Sequence, residues 1–324
     1  MAKAVFVTRK IPEKGLQMLR DKGYFIEVNQ AESIPTQEEL IAALKKQPYD
    51  AVLSLLTDKI DAKVFDAAPS VLLYANYATG YDNIDIAEAS KRGIKVANAP
   101  ADLTSEAVAE HTLALMLALA ARVVDADEFV RKGLYRGWEP MNFIGMDVLG
   151  KTLGIVGAGR IGGQVGKYAK GLGMKIIYTD VAKNEKFEAE CQATYIGTLE
   201  ELLGESDIVT LHVPLLESTM HLINEEKLKL MKPTSFLINT SRGPVIEEAA
   251  LEAALTAKTI AGAALDVFEF EPHISPELVK MENVILTPHI ASASIEAREQ
   301  MAELVAENII DFLEDREPRN LIKP

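Results

Sequence analysis

Short apolar runs alternate with amphipathic stretches along almost the whole chain. In the first hundred residues the apolar runs are Lys3–Thr8 (KAVFVT), Tyr24–Val28, Ala51–Leu55, Val71–Tyr74 and Ile94–Ala97, each of strand length, and the helical spacing of Glu13–Lys22 and Gln37–Lys46 falls between them. Such alternation predicts a parallel sheet flanked by helices. A second series begins near residue 152, with strands expected at Thr152–Val156, Met174–Tyr178, Ile208–His212, Ser235–Asn239, Gly262–Val267 and Val284–Thr287. Helical spacing recurs at Val165, Tyr168, Ala169 and Leu172, at Leu199–Leu203, at the helix end Leu228–Met231 and at Glu247–Ala257. The fold class expected is α/β, with two doubly wound parallel-sheet domains.

Three segments set the domain plan. After Pro100, the stretch from Thr104 (SEAVAEHTLALMLALAARV) is apolar nearly all round, so it predicts a helix buried inside the protein or across a subunit interface. Phe129–Met146, with the lone Trp138, has little core-like periodicity; it reads as an exposed contact arm or as a segment folded back on its own subunit. Ser292–Leu313 carries helical apolar spacing at Ile295, Met301, Leu304, Val305, Ile309 and Phe312, and is expected to cross back to the N-terminal domain. Residues 1–100 with 290–324 would then form one domain, into which residues 101–289 are inserted.

The second series opens on Gly157-Ala158-Gly159-Arg160-Ile161-Gly162, a G-x-G-x-x-G turn between strand and helix. Gly157 suits the tight turn, Gly159 a close approach of pyrophosphate to the backbone, and Gly162 close packing of helix on strand. The helix start presents free N–H groups and a positive dipole end to phosphate. The next strand ends in Asp180, eighteen residues past Gly162, near where a carboxylate receives the ribose diol of a dinucleotide. Its charge repels an additional ribose phosphate, and Val181 follows it where an arginine would be wanted. NAD(H) is the cofactor expected, bound by a Rossmann domain. The N-terminal series has no such glycine pattern.

Composition narrows the setting. The chain has 324 residues, enough for two domains, and 48% of them are hydrophobic without a run approaching a continuous membrane span. No signal peptide is read in MAKAVFVTRK. A single cysteine, Cys191, forms no internal disulfide and suits a reducing cytoplasm; it reads as a packed residue, and no metal site is expected. A net charge of -14 disfavours nucleic acid, and neither nucleic acid nor membrane is an expected partner.

In a doubly wound sheet, ligands lie beyond the carboxyl ends of the strands. Three strand ends deliver Arg242, then Asp266 with Glu271, then His289. Arg242 can bind a carboxylate and polarise an adjacent carbonyl. His289 can hand a proton to a carbonyl oxygen as hydride arrives, and Glu271 can orient its ring. That set matches reduction of a 2-oxo acid by NADH. His111, His212, His221 and His273 lack such company. In the first domain, Ala78, Thr79 and Gly80 are small enough for successive amides to face one anion, although composition alone favours an ordinary turn before a helix capped by Asp82 or Asn83.

The chain resembles the D-isomer-specific 2-hydroxyacid dehydrogenase family over essentially its whole length. The likeness is carried by NYATGYDNIDIAEASKRGIKVANAP, LTSEAVAEHTLALMLA, GKTLGIVGAGRIG, LINTSRGPVIEEAAL, ALDVFEFEP and LTPHIASAS. It implies Arg242, Glu271 and His289 as the catalytic set and a flavodoxin-like substrate (lid) domain that closes over the cofactor. It implies a homodimer built largely through the NAD-binding domain, and amides near Ala78, Thr79 and Gly80 on the substrate carboxylate. By the same resemblance Thr104, Arg160, Ile161, Asp180, Pro214, Thr219, Thr240, Asp266 and Ala291 line the cofactor with the glycines, Asp266 near the nicotinamide carboxamide. Ala101 and Ala291 stand where glycine is common. DAVLSLLTDKID and the arm FVRKGLYRGWEP resemble the glyoxylate and hydroxypyruvate reductase branch, in which Leu55 or Leu56 would wall a small substituent. A D-lactate or D-3-phosphoglycerate dehydrogenase is the alternative within the family, and an NAD(H)-sensing interaction protein is the alternative outside it.

Overall fold

A computed structural model describes residues 3–30 and 33–323. In chain order the first elements are β1 (Ala4–Val7), α1 (Glu13–Asp21), β2 (Phe25–Val28), α2 (Gln37–Leu44), β3 (Ala51–Leu55), α3 (Ala62–Ala67), β4 (Leu73–Tyr77), α4 (Ile86–Lys91) and β5 (Lys95–Ala97). Then follow α5 (Asp102–Ala120), α6 (Val123–Arg131), β6 (Thr152–Val156), α7 (Arg160–Gly171), β7 (Lys175–Thr179), α8 (Glu185–Cys191) and β8 (Thr194–Tyr195). The remainder are α9 (Leu199–Glu205), β9 (Ile208–Leu211), α10 (Glu225–Leu228), β10 (Phe236–Asn239), α11 (Glu248–Thr256), β11 (Gly262–Leu265), α12 (Pro276–Lys280), β12 (Val284–Leu286) and α13 (Ile295–Leu313). The chain divides into two compact units, one of residues 1–104 with 293–324 and one of residues 105–292.

The first unit holds a parallel five-stranded sheet in the order β2-β1-β3-β4-β5. One face packs on α1 and α13 through Leu16, Leu19, Met301, Val305 and Ile309, and the other on α2 and α3 through Leu40, Leu44, Val64 and Phe65. Helices α1 and α13 meet so closely that a Cβ on Gly15 would collide with the carbonyl of Ala302. Local chemistry starts these helices. Thr36 and Glu39 form a reciprocal capping box at α2, while Asp61 and Ser294 cap α3 and α13. The cap of α4 is Asp85, which accepts from the Glu88 amide. It replaces the expected Asp82 or Asn83 because the Asn83 side chain is drawn inward, donating to the carbonyls of Leu55 and Asp58.

The second unit holds a parallel seven-stranded sheet, β12-β11-β10-β9-β6-β7-β8, with apolar layers on both faces. Order reverses between β6 and β9, where a doubly wound sheet opens its ligand crevice. Helix α5 starts at Asp102, two residues before the expected Thr104. Among the described residues it alone is long and apolar enough to cross a membrane, and more than half of its apolar stretch is buried in the protein. It is not buried all round: Ala109, Leu113 and Met116 enter the core while Leu117 is exposed. Arg122, at φ 53, ends its direction and starts α6, a helix missed in the sequence because Val123, Val124 and Val130 face outward without a core to pattern them. Within the arm, Phe143 stacks edge-on to Phe129 and Met146 bonds the carbonyl of Ala120, whereas Trp138 is 82% exposed. The segment therefore folds back at its base and stays open at its tip.

Candidate active site

The carboxyl ends of β6, β7, β9, β10, β11 and β12 bring most of the expected residues of the second unit to one sheet edge. At β6 each glycine has a steric reason. Gly157 has φ +92 with the His212 carbonyl 2.9 Å from where a Cβ would stand, and a Cβ on Gly162 would strike the carbonyl of Gly157. A Cβ on Gly159 would meet nothing within 4 Å, so its face is open, as a phosphate cradle requires. Arg160 and Ile161 begin α7 immediately beyond. Asp180, at the end of β7, reaches back to this turn: its Oδ2 accepts the Ala158 amide at 2.7 Å and its Oδ1 the amide of Val181. Pro214 is exposed, and its carbonyl accepts the Thr219 hydroxyl at 2.7 Å. Thr240 is buried with its hydroxyl against that of Thr112 at 2.9 Å. Thr104 is also buried, and its hydroxyl has no partner among the described residues.

His289 and Glu271 are paired: the Nδ1–H donates to Glu271 Oε2 at 2.9 Å, and Oε1 of the same carboxylate accepts the Phe268 amide at 3.0 Å. With Nδ1 so engaged, Nε2 is the nitrogen left to meet a ligand. His289 sits at φ 54, a left-handed turn that the carbonyls of Asp266 and Thr287 fix by accepting its amide. Asp266 builds that turn from within. Its carboxylate is fully buried and accepts the Thr287 hydroxyl at 2.6 Å and the amides of Ile290 and Ala291 at 2.9 and 2.8 Å, with His111 Nε2 3.6 Å away. Burial alone would push this carboxyl up. The bonds from His111, Thr287, Ile290 and Ala291 outweigh it and hold Asp266 below the usual carboxylate range. The geometry thus gives Asp266 and Ala291 a part in shaping the His289 turn, beside the cofactor contacts implied for them.

Arg242 follows β10. Its Nη1 donates to the Ser241 carbonyl at 2.9 Å, and Asn239 Nδ2 donates to its own carbonyl at 2.9 Å. The next residue, Gly243, presses on the loop of Glu271: a Cβ there would overlap the backbone of Phe268 and Glu269. Around this contact Glu269 and Glu248 exchange bonds, each carboxylate accepting the other's amide at 2.8 and 3.1 Å, and His221 adds a bond of 2.6 Å to Glu269. Glu248, Glu269, His111 and Thr287 were not foreseen, because their partners come from distant strand ends. Among the described residues no group of three or more His, Cys, Asp or Glu side chains could hold a metal ion.

In the first unit the loop after β4 holds Ala78, Thr79 and Gly80. The Ala78 amide is spent on the carbonyl of Asn76 at 2.8 Å, which removes it from the expected set of anion donors. The carbonyls of Thr79 and Gly80 are drawn inward by Asn98 and Asn76, and Asn76 is itself bonded to Ser54 and Asn83. The Thr79 hydroxyl is buried without a partner among the described residues. Leu55 and Leu56, half-buried, end β3 beside this loop.

A dinucleotide turn and a carboxylate-paired histidine on one parallel-sheet edge define an NAD-dependent oxidoreductase. Residues 113–291 match the family of the D-isomer specific 2-hydroxyacid dehydrogenase, NAD binding domain. A glyoxylate reductase of Korarchaeum cryptofilum is 52% identical over 99% of this chain and 96% of its own length. Another, from Thermococcus litoralis, is 50% identical over 99% of this chain and 97% of its own. Among solved structures, a protein of Thermus thermophilus superposes with a TM-score of 0.91 at 40% identity, covering 99% of this chain and all (100%) of that one. The NADPH-dependent glyoxylate/hydroxypyruvate reductase of Sinorhizobium meliloti, in complex with NADP and malonate, has a TM-score of 0.84 at 31% identity, covering 99% of this chain and 97% of that one. The chain belongs to the D-isomer specific 2-hydroxyacid dehydrogenase family, and its chemistry is the reduction of 2-oxo acids.

Proposed function

We propose that the protein reduces small 2-oxo acids with NADH, glyoxylate to glycolate and hydroxypyruvate to D-glycerate. The observation that carries the reading is the His289 ring held at 2.9 Å by Glu271 on a turn built by a buried carboxylate. NADH, when bound at the glycine turn, supplies the hydride for C2 of the substrate. His289 Nε2 gives its proton to the carbonyl oxygen, and Glu271 stabilises the imidazolium before transfer and orients the ring throughout. Arg242 binds the substrate carboxylate and polarises the carbonyl, the amides of Thr79 and Gly80 hold the same carboxylate, and Leu55 and Leu56 bound the small substituent. Thr104, Pro214, Thr219 and Thr240 line the cofactor. The first unit serves as the substrate domain and the second as the NAD-binding domain.

Asp180 supports NADH over NADPH: its carboxylate is fixed against the glycine turn by the Ala158 amide, and no arginine follows it. The glyoxylate reductases of K. cryptofilum and T. litoralis support the substrate class by their identity. The enzyme works in the cytoplasm as a homodimer joined through the second unit. The test follows NADH and NADPH oxidation with glyoxylate, hydroxypyruvate, pyruvate and 3-phosphohydroxypyruvate. Glyoxylate and hydroxypyruvate are expected to lead, with NADH preferred, and His289→Ala to lower kcat about a thousandfold. Binding of NADH without turnover of any oxo acid would leave a sensor in place of the enzyme; dominance of 3-phosphohydroxypyruvate would move the substrate assignment.

A further inference from the structure

The five-stranded sheet of the first unit has its own point of reversal, between β1 and β3, and in a sheet of order 2-1-3-4-5 that is where a ligand crevice opens. The chain leaving β1 there carries Thr8 and Arg9, and the chain leaving β3 carries Leu55, Leu56, Thr57 and Asp58. Arg9 is held across the two: its Nη2 donates to the Thr57 hydroxyl at 2.5 Å. That is its one protein acceptor among the described residues, and its Nε is buried with none. Beside it lies the buried Asp58 carboxyl, whose Oδ2 accepts the Thr8 hydroxyl and the Leu55 amide at 2.5 and 2.7 Å while Oδ1 has no partner. The guanidinium is thus pinned through Nη2, with its buried Nε unmet, beside the loop that carries Leu55 and Leu56.

We infer that Arg9 is a specificity-determining residue that donates to an oxygen on the third carbon of a 2-oxo acid, favouring a hydroxymethyl substituent over hydrogen or methyl. Glyoxylate has no third carbon and pyruvate offers only a methyl group; hydroxypyruvate offers a neutral hydroxyl. Asp58 decides between that hydroxyl and a phosphate ester. Burial pushes its carboxyl up, against the Leu55 amide, the Thr8 hydroxyl and the charge of Arg9, so a dianion brought beside it meets a carboxyl group that donates nothing when ionised and repels it. Thr57 acts through Arg9 and is a positioning residue.

The inference rests on the reduction of 2-oxo acids proposed above. Its test measures kcat/KM for glyoxylate, pyruvate, hydroxypyruvate and 3-phosphohydroxypyruvate at saturating NADH, in the wild type, Arg9→Ala, Arg9→Lys and Thr57→Val. The ratio of hydroxypyruvate to glyoxylate is expected to fall about tenfold to a hundredfold in Arg9→Ala. It should fall less in Thr57→Val, which removes one hydroxyl and spares the charge, and be partly restored in Arg9→Lys. Equal losses on all substrates, an unchanged ratio, or a wild type that reduces glyoxylate but not hydroxypyruvate would overturn the Arg9 assignment and leave the reductase standing. So would a wild type that prefers 3-phosphohydroxypyruvate. A wild type that turns over no oxo acid would overturn both.

Discussion

His212 directly follows β9 next to the glycine turn, with Nε2 2.9 Å from the Thr210 hydroxyl and Nδ1 buried without a partner among the described residues. Burial pushes its pKa down to about 3. The folded protein then keeps the ring neutral while the unfolded chain binds a proton below about pH 6.5. Stability from this residue is complete above that value and is lost as pH falls toward about 3. Its slope is at most about 1.4 kcal/mol per pH unit. Urea unfolding from pH 7 to pH 4 should show the decline in the wild type, and His212→Gln, which can keep the bond to Thr210, should flatten it. A parallel decline in the variant would mean that other groups carry the acid sensitivity. Asp266 contrasts with His212, since its bonds defeat burial and its charge is retained. Position relative to a strand end was enough to single out Arg242, Glu271 and His289. Whether a side chain there turns outward, as His289 does, or inward, as Asp266 does, depends on bonds to Thr287, Ile290 and Ala291 that no spacing announces.

Among the elements, the two turns that carry Arg242 and Glu271 are braced at Gly243 and by the Glu248–Glu269 exchange. A methyl group on Gly243 would meet backbone, which cannot rotate away. Gly243→Ala is expected to cost about 3 kcal/mol in urea unfolding. It should also lower kcat/KM for glyoxylate at pH 7, because the guanidinium and the Glu271 carboxylate would be moved apart. Unchanged stability and kinetics would show that the brace is dispensable. The strands and longer helices of both sheets could be read from their patterns, with ends displaced by up to three residues. The short α3, α8 and α12 and the two-residue β8 could not, since one or two turns, or a single bridge, contain too few periods to rise above chance. Asp85 as the cap of α4 was hidden for another reason: GYDNID offers three capping residues, and the inward pull that removes Asn83 from them comes from carbonyls far back in the chain.

At the scale of the molecule, the arm around Trp138 leaves Tyr135, Met141 and Leu149 exposed together with the α6 residues Val123 and Val130. The proposed homodimer would cover this surface. Sedimentation equilibrium is expected to give twice the chain mass of 35.4 kDa. Trp138, as the sole tryptophan, should show blue-shifted emission that reverts on dilution or in Met141→Ser. A mass of one chain at every concentration, with water-exposed emission, would remove the dimer. Pattern alone placed both sheets and the crossing of the last helix back to the first unit, but it left the arm open between contact surface and self-packing, because both use exposed aromatic residues.

The return of α13 to the first unit bears on how the chain is made. Residues 3–97 build five strands that leave the ribosome before the inserted unit, yet the layer covering one face of their sheet, Met301, Ala302, Val305 and Ile309, is translated after it. The inserted unit, complete by residue 292, can close its core while this earlier sheet still waits with Val5, Leu53 and Leu73 uncovered. The unit begun earlier is therefore sealed later, and it is the one that needs shielding by chaperones during synthesis.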